Sequence, residues 1–228
     1  MTRLDRAREL VAGARAAGVG LTLLGGAAVA ELCASARTGS YARELGDIDF
    51  AGSSRDRARI RAFATANGLR GDDSFNAANS DIRMRFLDTD DSHIDVFLDE
   101  LRLCHAVKWG RSPGDGSTLP LPELLLTKTQ VVELEPKDIG DLSALLTDRW
   151  DELWAERDRL ADLVRNDWGL WRTSRGTFER LVAVPDATVA SRAATMLQHW
   201  NGVRFGPAAR LRAAVGDRVR WYDEPEEI

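Results

Sequence analysis

A chain of 228 residues, 44% hydrophobic and 29% charged, has ordinary globular composition. It is long enough for one large domain, or for a domain with a smaller helical partner. The formal net charge of −5 excludes the strongly basic balance of a dedicated nucleic-acid coat.

The chain opens on "MTRLDRARELVAGARAAGVG", in which Leu4, Ala7, Leu10, Val11 and Ala14 follow helical spacing. This predicts a helix over 3–17 and not a signal peptide, and no apolar run approaches the length of a membrane span. A soluble, cytoplasmic protein is expected. "VGLTLLGG" predicts a short buried strand, and "GAAVAELCASA" a helix starting at the glycines. "TGSYAREL" reads as a loop, "GDIDFAG" as a strand, and "SRDRARIRAFATANG" as a helix ended by Asn67-Gly68. "DIRMRFLD" alternates, with Ile82, Met84 and Phe86 on one face and Arg83 and Arg85 on the other. In "SHIDVFLDE", Ile94, Val96 and Leu98 face one way, and His93, Asp95, Phe97 and Asp99 the other. "RSPGDGSTLP" is a turn-rich break. Beyond it "PELLLTKTQVVEL", interrupted at Pro136, then "KDIGDLSALLTDRWDELWAERDRLADLVRNDWGLW", "SRAATMLQHW" and "PAARLRAAV" are all helical in pattern. Strands before residue 115 and helices after it predict an α+β protein: a mixed sheet domain with flanking helices over 1–115, then a helical domain over 116–228.

Two cysteines, Cys33 and Cys104, lie in apolar surroundings and read as free buried thiols; three scattered histidines give no zinc-ligand spacing. Trp150, Trp154, Trp168, Trp171 and Trp200 read as packing for the helical domain. Arg55, Arg57, Arg59 and Arg61 spread around their helix, whereas Arg83 and Arg85 share a face near the acidic strand residues, where phosphate or RNA would be in reach.

The acidic strand residues need an explanation. Asp is disfavoured in strands, yet Asp47 and Asp49 flank Ile48 and precede Phe50. Residues i and i+2 of a strand share a face, so the two carboxylates project together, roughly 6.6 Å apart at the usual rise per residue. Left alone they repel. A divalent cation such as Mg²⁺ or Mn²⁺ relieves this and leaves positions for phosphate oxygens. Asp95 sits between Ile94 and Val96 in the same way. If its strand neighbours that of Asp49, three carboxylates converge, as at a two-metal centre for in-line displacement. Gly25 and Gly26 let the backbone approach a ligand closely, and the helix after them offers free N–H groups to a triphosphate.

"LLGGAAVAEL", "GDIDF" and "HIDVF" together resemble the nucleotidyltransferase superfamily typified by DNA polymerase beta. The resemblance covers roughly residues 20–100. It implies that Gly25 and Gly26 form a phosphate-binding turn, that Asp47 and Asp49 hold metal, and that Asp95 is the third carboxylate, a metal ligand or an aid to deprotonating the acceptor hydroxyl. The 20 residues between Gly26 and Asp47 exceed that family's usual interval, and the excess is expected in "ARTGSYAREL", to re-aim the aspartates or contact substrate. "LPELLLTKTQVVELEPKDIGDLSALL" is similar to a segment of minimal nucleotidyltransferases of the abortive-infection (AbiEii-like) toxin type. That likeness implies roles for Lys128, over the triphosphate, and Asp138, with Asp141 as the alternative aspartate. The bland reading of Asp138 is a helix N-terminal cap.

The function these resemblances imply is transfer of a nucleoside monophosphate from an NTP such as ATP to a hydroxyl of tRNA or protein, toxin-like and with a possible antitoxin partner. The alternatives are an aminoglycoside-type antibiotic nucleotidyltransferase, for which the acidic balance suits a cationic small molecule, and a silent nucleotide-binding or interaction module. An unrelated protein using these carboxylates for a structural Ca²⁺ is a further alternative, although no loop rich in oxygen ligands accompanies them.

Overall fold

Thr2 starts the first helix by a reciprocal cap. Its hydroxyl accepts the Asp5 N–H at 3.1 Å, while the Asp5 carboxylate accepts the Thr2 N–H at 3.2 Å. The computed structural model describes residues 1–109 and 116–224. They form an α+β protein in two units. The first comprises Met1–Leu32, Arg43–Leu101 and Lys108–Pro120; the second comprises Cys33–Ala42, Arg102–Val107 and Leu121–Ile228. The expected boundary after residue 115 lies outside the described residues.

In the first unit α1 (Arg3–Ala16) buries Ala7, Leu10, Val11 and Ala14, the stripe its periodicity predicts. β1 (Thr22–Leu24) runs into α2 (Gly25–Leu32) without a connecting loop. The helix is shorter than its sequence suggests: Cys33 takes an extended conformation, and α3 (Ala34–Arg37) starts afresh after it. β2 (Ile48–Gly52) is followed by α4 (Arg57–Ala66), which stops at Asn67 and Gly68 as expected. β3 (Arg70–Gly71), α5 (Asp73–Asn79), β4 (Arg83–Leu87) and β5 (His93–Leu98) complete the unit's main elements. The sheet order is β1-β2-β5-β4-β3; β2 and β5 are parallel, and the other pairs are antiparallel.

One face of this sheet is apolar. Ile48, Phe50, Met84, Phe86, Ile94, Val96 and Leu98 are all buried. Burying each of these side chains contributes about 1.5–3 kcal/mol. That outweighs the strand propensity lost at Asp49 and Asp95, where the whole scale spans about 1 kcal/mol. Ile82 is the exception to the predicted alternation: it lies just outside β4 and is 56% exposed. Asp99 also leaves the predicted strand, with φ of 65°, and its carboxylate accepts from Ser53 Oγ at 3.0 Å and the Ser54 N–H at 3.1 Å. A ribbon of β6 (Glu100–Arg102) and β7 (Ala106–Lys108) follows β5.

The second unit is helical: α6 (Leu121–Thr129), α7 (Pro136–Asp148), α8 (Trp150–Ala155), α9 (Arg157–Val164), α10 (Trp168–Val182), α11 (Ala187–Asn201) and α12 (Pro207–Val215). Pro136, expected as an interruption, is the first residue of α7, where its missing N–H costs nothing. The distinctive "WGLWRTSRG" is a packing motif at the start of α10. Trp171 Nε1 donates to the Trp200 carbonyl at 2.9 Å, and Trp200 Nε1 donates to the Trp171 carbonyl at 3.1 Å, locking α10 to α11. Gly169 lets the Trp221 carbonyl approach closely; a Cβ there would stand 2.6 Å from it. Thr173 accepts from Trp221 Nε1 at 3.0 Å and meets His105 Nε2 at 2.8 Å, and Ser174 bonds Thr129 at 2.9 Å. His105, Thr129, Thr173 and Ser174 are thus paired where they are buried, as desolvation demands. Burial pushes the His105 imidazole below its ordinary pKa, against the pull of Asp167 and Asp223.

Candidate active site

Strand register decides which of the predicted residues meet. β1 ends at Leu24, which pairs with Asp49 of β2, and Asp49 pairs with Asp95 of β5. On its other side Asp95 pairs with Arg85 of β4. Directly paired residues share a face of the sheet, so Asp49, Asp95 and Arg85 form one row opposite the apolar face. Asp49 is half-buried and Asp95 is buried. Asp47 is exposed and stands one residue before β2, so the ladder fixes Asp49 and leaves Asp47 on the entering loop.

Gly25 explains itself against Asp49. It has φ of 63°, a region that L side chains rarely adopt, and a Cβ built there would run into Asp49 Oδ2. The turn from β1 into α2 therefore lies directly against the carboxylate, at the positive end of the helix dipole. Gly26 is covered instead by the Arg43 guanidinium, which a Cβ there would strike. The long interval between Gly26 and Asp47 is accounted for by Cys33–Ala42, which belongs to the second unit. There Ser35 N–H donates to Asp148 at 2.8 Å and the Tyr41 hydroxyl donates to Asp186 at 2.7 Å. The hydrogen bond given to Asp186 raises the Tyr41 pKa after desolvation, the larger cause.

Both oxygens of Asp95 are engaged. Arg83 Nη2 reaches Oδ2 at 2.7 Å and Arg85 Nε reaches Oδ1 at 3.1 Å. The arginines are held in place by α5, which carries no periodic signal in the sequence. Phe75 lies 4.0 Å from the Arg85 guanidinium and 5.4 Å from that of Arg83; Phe97 lies 4.8 Å from Arg83. Asn76 binds the Arg85 backbone twice, at 2.8 Å each, in the manner of one more strand. Arg83 Nε is buried without a hydrogen-bond partner, which shows packing on the phenylalanines imposing its position. The sequence puts Arg83 and Arg85 on this face, but nothing in it signals their grip on Asp95. His93, two residues before Asp95, is exposed.

The oxygen donors of Asp47 and Asp49 suit a hard cation such as Mg²⁺ or Mn²⁺, and the absence of a side chain at Gly25 is what makes room for the Asp49 carboxylate against the turn. Asp95 does not fit as a ligand in this arrangement, because its lone pairs already face two guanidiniums. Among the described residues no group of three or more His, Cys, Asp or Glu side chains is placed to hold a metal ion.

In the second unit Lys128 occupies the last turn of α6, where a cation suits the helix C-terminus. Its Nζ lies 2.7 Å from Asp141 Oδ2, and the two side chains are 13% and 4% exposed. Asp138 does something else. It is the third residue of α7 and accepts the Glu135 N–H at 3.1 Å, closing a capping box. Of the two aspartates offered by the sequence, Asp141 is the one beside Lys128. Cys33 and Cys104 are free and buried, and desolvation pushes the Cys33 thiol up to about 12. No helix of the described residues is long and apolar enough to cross a membrane. No family model matches this sequence, and no curated protein is significantly similar to it.

Proposed function

We propose that this chain is a metal-dependent nucleotidyltransferase. One observation carries the reading: the β1–Gly25–α2 turn lies against Asp49, with Asp47 just before it and Asp95 in register on the parallel neighbour. A glycine turn suits phosphate oxygens, and the adjoining carboxylates suit the cation that accompanies them. In the reaction an acceptor hydroxyl oxygen attacks the α-phosphorus of an NTP, the α–β phosphoanhydride bond breaks, pyrophosphate leaves, and the hydroxyl proton passes to solvent or a base. Asp47 and Asp49 hold Mg²⁺ or Mn²⁺, which neutralises the charge that develops on the phosphates. Gly25 offers backbone to the triphosphate, and the Arg43 guanidinium stands over Gly26, the second glycine of the turn. The protein's own contribution is positioning and fixed charge. The expectation that Lys128 serves the same chemistry rests on the toxin-type resemblance, and Asp141 gives that lysine its partner.

The acceptor we propose is a hydroxyl of tRNA or protein, with an antitoxin as partner and a cytoplasmic setting. The test incubates the protein with each labelled NTP, Mg²⁺ or Mn²⁺, and a panel of total tRNA, aminoglycosides and the protein itself. Asp47→Ala combined with Asp49→Ala is the control. Label transfer that vanishes in the control supports the reading and names the acceptor class. Absence of any metal-dependent NTP binding refutes it.

A further inference from the structure

We propose that Arg3 is a positioning residue for Asp47: its guanidinium ties the chain just before Asp47 to the β4–β5 turn and so fixes where that carboxylate stands. The inference rests on the nucleotidyltransferase reading and adds to it the group that sets one cation ligand in place. It concerns Asp47 alone.

Of the three strand aspartates, Asp47 is the one outside the ladder. The last rung between β2 and β5 pairs Ile48 with Ile94. The Asp47 side chain is exposed and makes no hydrogen bond or ion pair among the described residues. Carried back by two residues on each parallel strand, the register sets Gly46 against Ser92. Arg3 makes the connection there. Its Nε donates to the Gly46 carbonyl at 3.1 Å, and its Nη1 donates to Ser92 Oγ and to Asp90 Oδ1, the latter at 3.2 Å. Asp47 is thus bracketed, by the ladder at Ile48 on one side and by Arg3 at Gly46 on the other. A ligand on a loose loop must be ordered before it can bind, and that ordering detracts from affinity; a loop already fixed avoids the loss.

Both ends of this clasp are firm. Arg3 is the first residue of α1, directly behind the reciprocal cap of Thr2 and Asp5. The β4–β5 turn is closed on itself: the Asp88 N–H donates to the Ser92 carbonyl at 3.0 Å, and Ser92 gives its N–H and its hydroxyl to Asp90 Oδ1 at 3.2 and 2.6 Å. Hydrogen bonds from Ser92 and then Arg3 hold the Asp90 carboxyl below the usual carboxylate range. One turn along α1, Arg6 binds Asp88 at 2.9 Å and so holds the base of the same turn. For α1 itself Arg3 is badly placed, since a cation in the first turn opposes the helix dipole. It adds little stability either: the Arg3 and Asp90 side chains are 28% and 59% exposed, and pairs so placed contribute little. The position of Gly46 is what this arginine secures.

The test is Mn²⁺ binding by the intact protein with a non-hydrolysable analogue of each NTP in turn. Free Mn²⁺ is followed by electron paramagnetic resonance, and a titration of the analogue alone is subtracted. Arg3→Gln should weaken Mn²⁺ binding about tenfold, the low end for groups that orient metal ligands, and Arg3→Lys should recover part of that. Asp47→Ala should weaken it at least as much. Adding Arg3→Gln to Asp47→Ala should weaken it no further, because no ligand is left to place. Arg6→Gln controls for a general loosening of α1: it should lower the unfolding temperature at least as far as Arg3→Gln, yet leave Mn²⁺ affinity nearly unchanged. Unchanged affinity in Arg3→Gln, an equal loss in Arg6→Gln, or losses that multiply in the double variant overturn the inference and leave the nucleotidyltransferase reading standing. Binding that is absent, or indifferent to Asp47, overturns both.

Discussion

Replacing Asp141 with leucine strands an ammonium in the helical unit. The Asp141 side chain is 4% exposed and that of Lys128 13%, with the charged atoms 2.7 Å apart. At such burial solvent screens little, so the value of an exposed pair, about 1 kcal/mol at most, does not apply. Removing one partner of a buried pair costs about 3–5 kcal/mol, because the other charge stays behind without compensation. In a protein of this size each kcal/mol is worth about 2–4 °C in Tm, so Asp141→Leu should lower Tm by about 6–20 °C. Adding Lys128→Met removes the stranded charge and fills the same volume. Apolar replacement of a buried pair is often neutral or better, so the double variant should recover most of the loss. Thermal unfolding followed by tryptophan fluorescence reads the relevant unit, since every tryptophan but Trp109 belongs to it. A double variant as unstable as Asp141→Leu alone would refute the reasoning, for the pair would then contribute through something other than mutual charge compensation.

Gly25→Ala should cost about 1–2 kcal/mol in left-handed strain alone, more from the contact with Asp49, and should abolish metal-dependent label transfer; unchanged stability and turnover would show that the turn does not press on Asp49. His105 gives a pH signature. Burial favours its neutral form in the folded chain, so below about pH 6.5 the unfolded chain takes up the proton first and stability falls as pH falls. His105→Gln should therefore show a smaller drop in denaturation midpoint than the unsubstituted protein between about pH 7.5 and 5.5; equal drops would assign the acid sensitivity to other groups.

The strands and the helical half were legible because burial imposes a period. Met84, Phe86, Ile94, Val96 and Leu98 recur at every second position, with Arg85, Asp95 and Phe97 between them, and the sheet buries them as that period requires. The order Gly25, Asp49, Asp95 was legible as residue types in sequence, but their adjacency depends on which strands pair. That pairing is a tertiary outcome that no window of sequence contains. The Arg83–Asp95–Arg85 grip was hidden for the same reason, since it depends on the antiparallel register of β4 against β5. α5 was hidden because seven largely polar residues give no apolar stripe. Its anchors are particular contacts instead: the Asp72 carboxylate accepts the Phe75 N–H at 3.1 Å, and Asn76 binds Arg85. The choice between Asp138 and Asp141 turned on where α7 begins. With Pro136 as its first residue, Asp138 falls in the capping position and Asp141 one turn further, facing Lys128.

β1 has a neighbour on each side. It pairs with β2 along one edge, and along the other Leu23 N–H donates to the Ser117 carbonyl at 2.7 Å while the Leu119 N–H donates to the Leu23 carbonyl at 3.0 Å. The opposite border of the sheet is β3, two residues long and led by Arg70. Open backbone ladders are what recruit foreign strands into aggregates, and short, charged or covered borders are the usual protection. Here one border is covered by the chain itself and the other is too brief to template a partner. The strands that carry the aspartates are thereby shielded from intermolecular pairing, and a substitution of proline for Leu119, which deletes the donor to Leu23, would be expected to expose β1 and show itself as turbidity on concentration.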